Sequence, residues 1–183
     1  PCMIFAMIAS SRVNSTFKKY SQQRSIRGLT GAEAAQRVLR HNGVSGVRIE
    51  PVGGNLTDHY DPSHKVLRLS ESVYGKATVA AVGVAAHETG HAIQHATKYG
   101  PLVLRSTLVP VANIGSAIGP TLAIAGLVLS FGILVDIGLL LFAGSVLFYV
   151  VTLPVEFNAS RRAIAILGKS GAMNQDELKG VKK

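Results

Sequence analysis

The sequence predicts a mainly α membrane protein with a small β element, and three observations carry that expectation. Residues 106–135 contain no Lys, Arg, Asp or Glu, and after Asp136 the uncharged run resumes over residues 137–155. About 18 or more uncharged apolar residues are enough for a helix to cross the hydrocarbon of a bilayer. A third segment, "ATVAAVGVAAHETGHAIQHA", is Ala-rich and apolar on every side except at its His and Glu positions. A helix of that kind must be buried in protein or membrane. Between residues 46 and 70, short runs with β character are broken by turn residues. Composition agrees: 48% of the 183 residues are hydrophobic and 16% charged, where soluble chains carry about 25% charged residues. The lone cysteine, Cys2, excludes a disulfide framework and a Cys-rich metal site.

The elements follow in order. The opening stretch "PCMIFAMIA" is apolar but too short to span, so residues 1–10 are read as the end of a truncated transmembrane helix. Residues 11–28 hold Arg12, Lys18, Lys19, Arg24 and Arg27 without an acid. Directly after an apolar segment, such a stretch fits a juxtamembrane position on the cytoplasmic face better than a nucleic-acid patch. "LTGAEAAQRVLRHNGV" predicts a helix with both ends marked: Thr30 and Glu33 form a capping box, and Gly43 stands where a C-terminal glycine belongs. "GVRIEPV" predicts a strand, and "NLTDHYDPSHKVLRLS" predicts two strands about a turn at Asp61-Pro62-Ser63. The strand at 66–69 is expected to offer an edge to an extended peptide.

The apolar helix follows from about Thr78 to Thr97, then a hydrophobic hairpin. Pro110 and Pro120 are expected to kink its first leg, and Gly115 and Gly119 to form a small-residue packing face. Asp136 is expected to mark the far turn, Pro154 to end the second leg, and Glu156 to open a new helix. A Gly-rich break after Leu167 precedes a last polar helix. Residues 11–105 carry 13 Lys/Arg against 6 Asp/Glu, and residues 156–183 carry 6 against 3. Both flanks of the hairpin are basic, so both are expected to be cytoplasmic.

His87-Glu88-Thr89-Gly90-His91 is a His-Glu-x-x-His run on a helix. The two imidazoles stand one turn apart on one face, with about 5–6 Å between Cβ atoms, so both can reach one tetrahedral zinc ion. Glu88 is then placed to take a proton from the attacking water and pass it to the leaving amine. A catalytic zinc takes three protein ligands and keeps a fourth position open. His95 lies one further turn along the helix, about 5–6 Å on, and is read as a residue supporting the site rather than as the third ligand. Glu156 is the stronger candidate, because it is the first acid after the second leg and the hairpin returns it to the side of His87 and His91. Asp136 falls across the bilayer in this topology, and Asp58 and Asp61 sit in turn chemistry. A bland alternative for Glu156 is an acid favoured at a helix N-terminus. Oxyanion donors are sought among Tyr60, His59, His64, Arg161 and Arg162, the two arginines being read first as lipid-facing anchors.

Together "AAVGVAAHETGHAIQHA", "DHYDPSHKVLRLS", "STFKKYS" and "LPVEFNASRRA" resemble the YugP-type neutral zinc metallopeptidases of bacterial membranes, over essentially the whole chain. "EFNAS" also resembles the Glu-x-x-Ala-Asp segment of membrane proteases of the prenyl-protein endopeptidase type. There the Glu is the third zinc ligand, which carries over to Glu156. The Asp of that pattern orients a ligand histidine, and Ser160 stands in its place here. The resemblance also implies a full membrane helix before residue 1 and a hydrophobic segment after residue 183.

The expectation is thus a membrane-bound zinc metalloprotease of the bacterial inner membrane, multi-pass, with its site on the cytoplasmic side. A zincin-like His-Glu-x-x-His helix lies in residues 11–105, a transmembrane hairpin spans 106–155, and a cytoplasmic helix in 156–183 carries the third ligand. Zn2+ rests on His87, His91 and Glu156, and Glu88 is catalytic. His95, Ser160 and Tyr60 support the ligands or the oxyanion. Expected partners are a peptide or protein substrate, the lipid bilayer, no nucleic acid, and a homo- or hetero-oligomer in the membrane. The rivals are an inactive zinc-binding membrane scaffold or adaptor, and a basic nucleic-acid- or lipid-binding module.

Overall fold

The computed structural model describes residues 2–182. Pro1, at the head of the expected truncated span, and Lys183, at the end of the last expected helical region, lie outside them. The chain forms two compact units: residues 1–96 with 159–183, and residues 97–158.

The first unit opens with α1 (Cys2–Ser21), which continues through the basic residues Arg12, Lys18 and Lys19. The helix α2 (Gly31–His41) begins and ends as its sequence requires. The Thr30 hydroxyl accepts from the Glu33 amide while the Glu33 carboxylate accepts from the Thr30 amide. This satisfies two otherwise orphaned donors and holds the Glu33 carboxyl below its ordinary pKa, chiefly through the backbone bond from Thr30. Beyond the helix, Gly43 takes a φ of 64°, a left-handed value that glycine adopts without a Cβ penalty.

Three short strands follow, β1 (Arg48–Val52), β2 (His59–Asp61) and β3 (Val66–Ser70). The turn between β2 and β3 forms where expected. Asp61 accepts from the amides of Ser63 and His64, and bonds from Arg68 first, then His64, hold its carboxyl well below the usual carboxylate range. The sheet order is β1-β3-β2, with β1 parallel and β2 antiparallel to β3. This corrects the expectation that residues 66–69 offer an edge. β3 is the central strand, its backbone groups are paired on both sides, and the edges are β1 and β2. Its residues Val66, Leu67 and Leu69 are fully buried, as a strand inside a sheet packed on a helix must be.

α3 (Val79–Ala96) is the hub of this unit. Ala81 and Ala85 pack with Leu67, Leu69 and Val73, while Val82, Ala86 and Ile93 pack with Val38, Ala163, Leu167 and Leu178. The helix is apolar nearly all round because both faces are covered by protein. The last helix, α6 (Gln175–Val181), is capped by a reciprocal Asn174–Glu177 pair. Buried Glu177 also accepts from the Ile26 amide at 2.9 Å, tying α6 to the loop after α1.

The second unit holds α4 (Gly100–Val128) and most of α5 (Gly132–Lys169). Pro110, Pro120 and Pro154 all lie inside these helices. Two expectations are corrected here. The reversal falls at residues 129–131, where Ser130 has a φ of 58°, and Asp136 lies inside α5 rather than at the turn. Pro154 does not end the second leg, since α5 runs through it unbroken to Lys169. A proline removes only one bond of a long helix, and the turns on either side of Pro154 keep theirs. The two helices approach along glycines. A Cβ added at Gly119 would lie 3.0 Å from the Gly138 carbonyl oxygen, and one at Gly126 would lie 2.7 Å from the Val135 amide nitrogen. Around that seam the apolar side chains are exposed, Leu140 at 74% and Val128 at 78%. Both helices are long and apolar enough to cross a membrane.

Candidate metal centre

α3 presents His87 and His91 one turn apart, with ring centroids 5.0 Å apart and planes perpendicular. Each ring is fixed through its Nδ1. His91 Nδ1 is 3.0 Å from Gln94 Oε1. An amide oxygen can only accept, so Nδ1 carries the proton and Nε2 keeps its lone pair. His87 Nδ1 lies 3.0 Å from Ser160 Oγ, which a hydroxyl can satisfy as acceptor. A histidine held in this way is prepared for a metal at its other nitrogen.

The bond from His87 to Ser160 depends on close packing of α3 against the C-terminal stretch of α5. Gly90, in the middle of the His-Glu-x-x-His run, faces Ala159. A Cβ there would sit 2.7 Å from the Ala159 carbonyl oxygen, so only glycine permits the approach. Because α5 is unbroken, Glu156 stands one turn before Ser160 on the same helix face. The ligand atoms of His87, His91 and Glu156 all lie within 4.8 Å of one another, and all three residues are half-buried. A tetrahedral zinc with bonds of about 2.0–2.2 Å spaces its ligand atoms by about 3.4 Å, so modest side-chain adjustment closes this group around an ion. Two neutral imidazoles and one carboxylate are also the donor types zinc prefers, and three ligands leave one position open.

Glu88 is half-buried beside His87. Tyr60 on β2 and His95 at the end of α3 form a pair of their own. The phenol oxygen is 2.9 Å from His95 Nδ1, and burial first, with the Asp61 charge second, raises the Tyr60 pKa. His95 is outside the three-residue metal group. His59 is bound to the Thr57 carbonyl and His64 to Asp61, both on the exposed hairpin. Arg161 is exposed. Two contributors were missed in the sequence, Gln94 and Gly90. The signal for Gln94 was a polar residue in an otherwise apolar helix, three positions after a candidate ligand. The signal for Gly90 was a glycine in a helix interior, where it weakens the helix unless close packing demands it.

Comparison with known proteins places the chain in a family. Residues 1–183 match the family described as "Putative neutral zinc metallopeptidase". The chain is 47% identical over 175 residues to "Putative membrane protease YugP" of Bacillus subtilis (strain 168), covering 96% of this chain and 78% of that protein. No solved structure matches. A match along the whole sequence, with 47% identity to a relative, shows that the chain belongs to the "Putative neutral zinc metallopeptidase" family.

Proposed function

We propose that this protein is a membrane-bound zinc metalloprotease that hydrolyses peptide bonds. The observation that carries the reading is the convergence of His87, His91 and Glu156 beside Glu88. Zinc held by those three residues would polarise the scissile carbonyl and acidify a water molecule. Gln94 orients the His91 ring through its amide oxygen, and the Ser160 hydroxyl can accept from His87 Nδ1, which would leave both Nε2 atoms for the ion. Glu88 takes the proton of the attacking water and returns it to the leaving amine. Half-burial strengthens these charge interactions by lowering the local dielectric. Tyr60, supported by His95, is the proposed donor to the oxyanion.

The bilayer is the proposed environment, with α4 and α5 as the spanning hairpin. The length and exposure of their apolar surface support it, as does the name of the Bacillus relative. The basic flanks support a cytoplasmic site. The substrate is a peptide or protein.

The test pairs metal content with cleavage. Purified Glu88→Gln is expected to retain zinc while peptide hydrolysis falls by about 10²–10⁴-fold. Glu156→Ala is expected to lose the metal. Equal cleavage by wild type and Glu88→Gln would overturn the catalytic reading, and full zinc retention in Glu156→Ala would remove that residue as a ligand.

A further inference from the structure

A cavity of about 460 Å³ opens beside His87 within the first unit. His87 and Ser160 line it, together with residues of α3, α1, α6 and the C-terminal stretch of α5. Among the described residues, no Lys, Arg, Asp or Glu lines it. Its depth depends on small residues. Gly83 stands one turn before His87 on the same face of α3, and a Cβ there would already touch the Val181 methyls at 3.2 Å. Gly180 faces the Tyr20 ring, with a Cβ 2.6 Å from Tyr20 Cε1. Phe17 and Ile164 supply apolar wall.

We infer that this cavity selects the substrate: it receives a large uncharged apolar side chain, aromatic or long aliphatic, from a residue flanking the scissile bond. The inference rests on the metalloprotease reading, since a peptide positioned at His87 brings a neighbouring side chain to the cavity that His87 lines. Size and charge make the assignment. A dry apolar cavity of about 150 Å³ takes benzene, so a space of about 460 Å³ accepts a phenylalanine or leucine side chain without strain. A charged side chain would leave its solvation behind and find no counter-charge. A small side chain such as alanine would leave the walls in poor contact. Apolar pockets discriminate at about 10–200-fold per methylene-scale difference, so at least tenfold preference for Phe or Leu over Ala is expected.

The experiment uses the full chain in detergent with two readouts. The first is cleavage of peptides that differ only at the residues flanking the scissile bond, carrying Phe, Leu, Ala, Lys or Asp. The second needs no catalysis: a peptide with p-benzoyl-phenylalanine in place of Phe is photocrosslinked, and the attachment sites are mapped by mass spectrometry. Wild type is expected to prefer Phe or Leu at one flanking position by at least tenfold, and to crosslink at Phe17, Ile164 or Val181. Gly83→Leu fills the cavity from α3. Thr16→Trp fills it from the half-buried rim of α1, where a larger side chain is tolerated if the first variant fails to fold. Either is expected to abolish the crosslink and cut the preference at least fivefold, while zinc content holds and cleavage of the Ala peptide stays within twofold. Crosslinking elsewhere, or an unchanged preference in a zinc-loaded filled variant, overturns the inference and leaves the protease reading standing. Crosslinking in the cavity with no cleavage of any peptide sinks the protease reading and retains the cavity as an apolar side-chain site.

Discussion

Gln94 shows how much a single side chain can settle at this centre. It is fully buried, and its amide oxygen fixes His91 with Nε2 bearing the lone pair. Replacing it with Leu keeps a similar volume but removes the acceptor. We expect Gln94→Leu to weaken zinc binding by about 10–100-fold, measured by competition with a chromogenic chelator. Gln94→Glu, which restores an acceptor at the same reach, is expected to recover most of that affinity. Unchanged affinity in Gln94→Leu would mean that the bond to His91 does not prepare the ligand. Ser160 plays the matching part for His87. The related motif has an Asp at this point; here the Ser160 hydroxyl lies 3.0 Å from His87 Nδ1, where it can accept the same hydrogen bond without adding charge beside the metal group.

Between elements, the decisive contact is α3 against the end of α5. Gly90 lets the Ala159 backbone approach, which carries Ser160 to His87 and sets Glu156 one turn away. Gly90→Ala places a methyl 2.7 Å from the Ala159 carbonyl oxygen and has no flexible side chain to displace. Overpacking of that kind costs about 1–3 kcal/mol. The expected result is a lower Tm with weaker zinc binding, read by thermal melts with and without metal. A variant with wild-type Tm and zinc affinity would show that the helices can separate freely there. α5 itself explains why one local sequence rule failed. Pro154 reads as a stop because a proline removes a helix bond, yet the uncharged residues before it and the buried Val155, Ala159 and Ala163 after it keep the helix continuous. That continuity, rather than a new helix opening at Glu156, places the acid.

Across the whole molecule, charge is partitioned as sharply as shape. The first unit carries the capped helices, the sheet and most of the basic residues; the second carries two helices with long uncharged runs, packed on glycines and exposing apolar side chains. Leaving such surface in water is unfavourable, and a bilayer would accommodate it. Cells expressing the chain are therefore expected to retain it in the membrane pellet after carbonate and high-salt washes and to release it in detergent. Release by salt alone would point to electrostatic attachment and overturn the spanning assignment.

The sequence by itself determined what depends on neighbours along the chain. The Thr30–Glu33 cap, the Asp61 turn, the helix bearing His87 and His91, and the two apolar runs all follow from local hydrogen bonding, spacing and hydropathy, and they stand where the residues said. The choice of Glu156 over other acids drew on topology and on a resemblance, because nothing local links it to a histidine 65 positions earlier. Tertiary structure alone decided three matters. It made β3 a central strand, since pairing partners are chosen in space. It carried α5 through Pro154, since packing outweighs one lost bond. It gathered His87, His91, Gln94, Ser160 and Glu156, since a metal group is a set of distances, and chain order does not specify distances until the helices have packed.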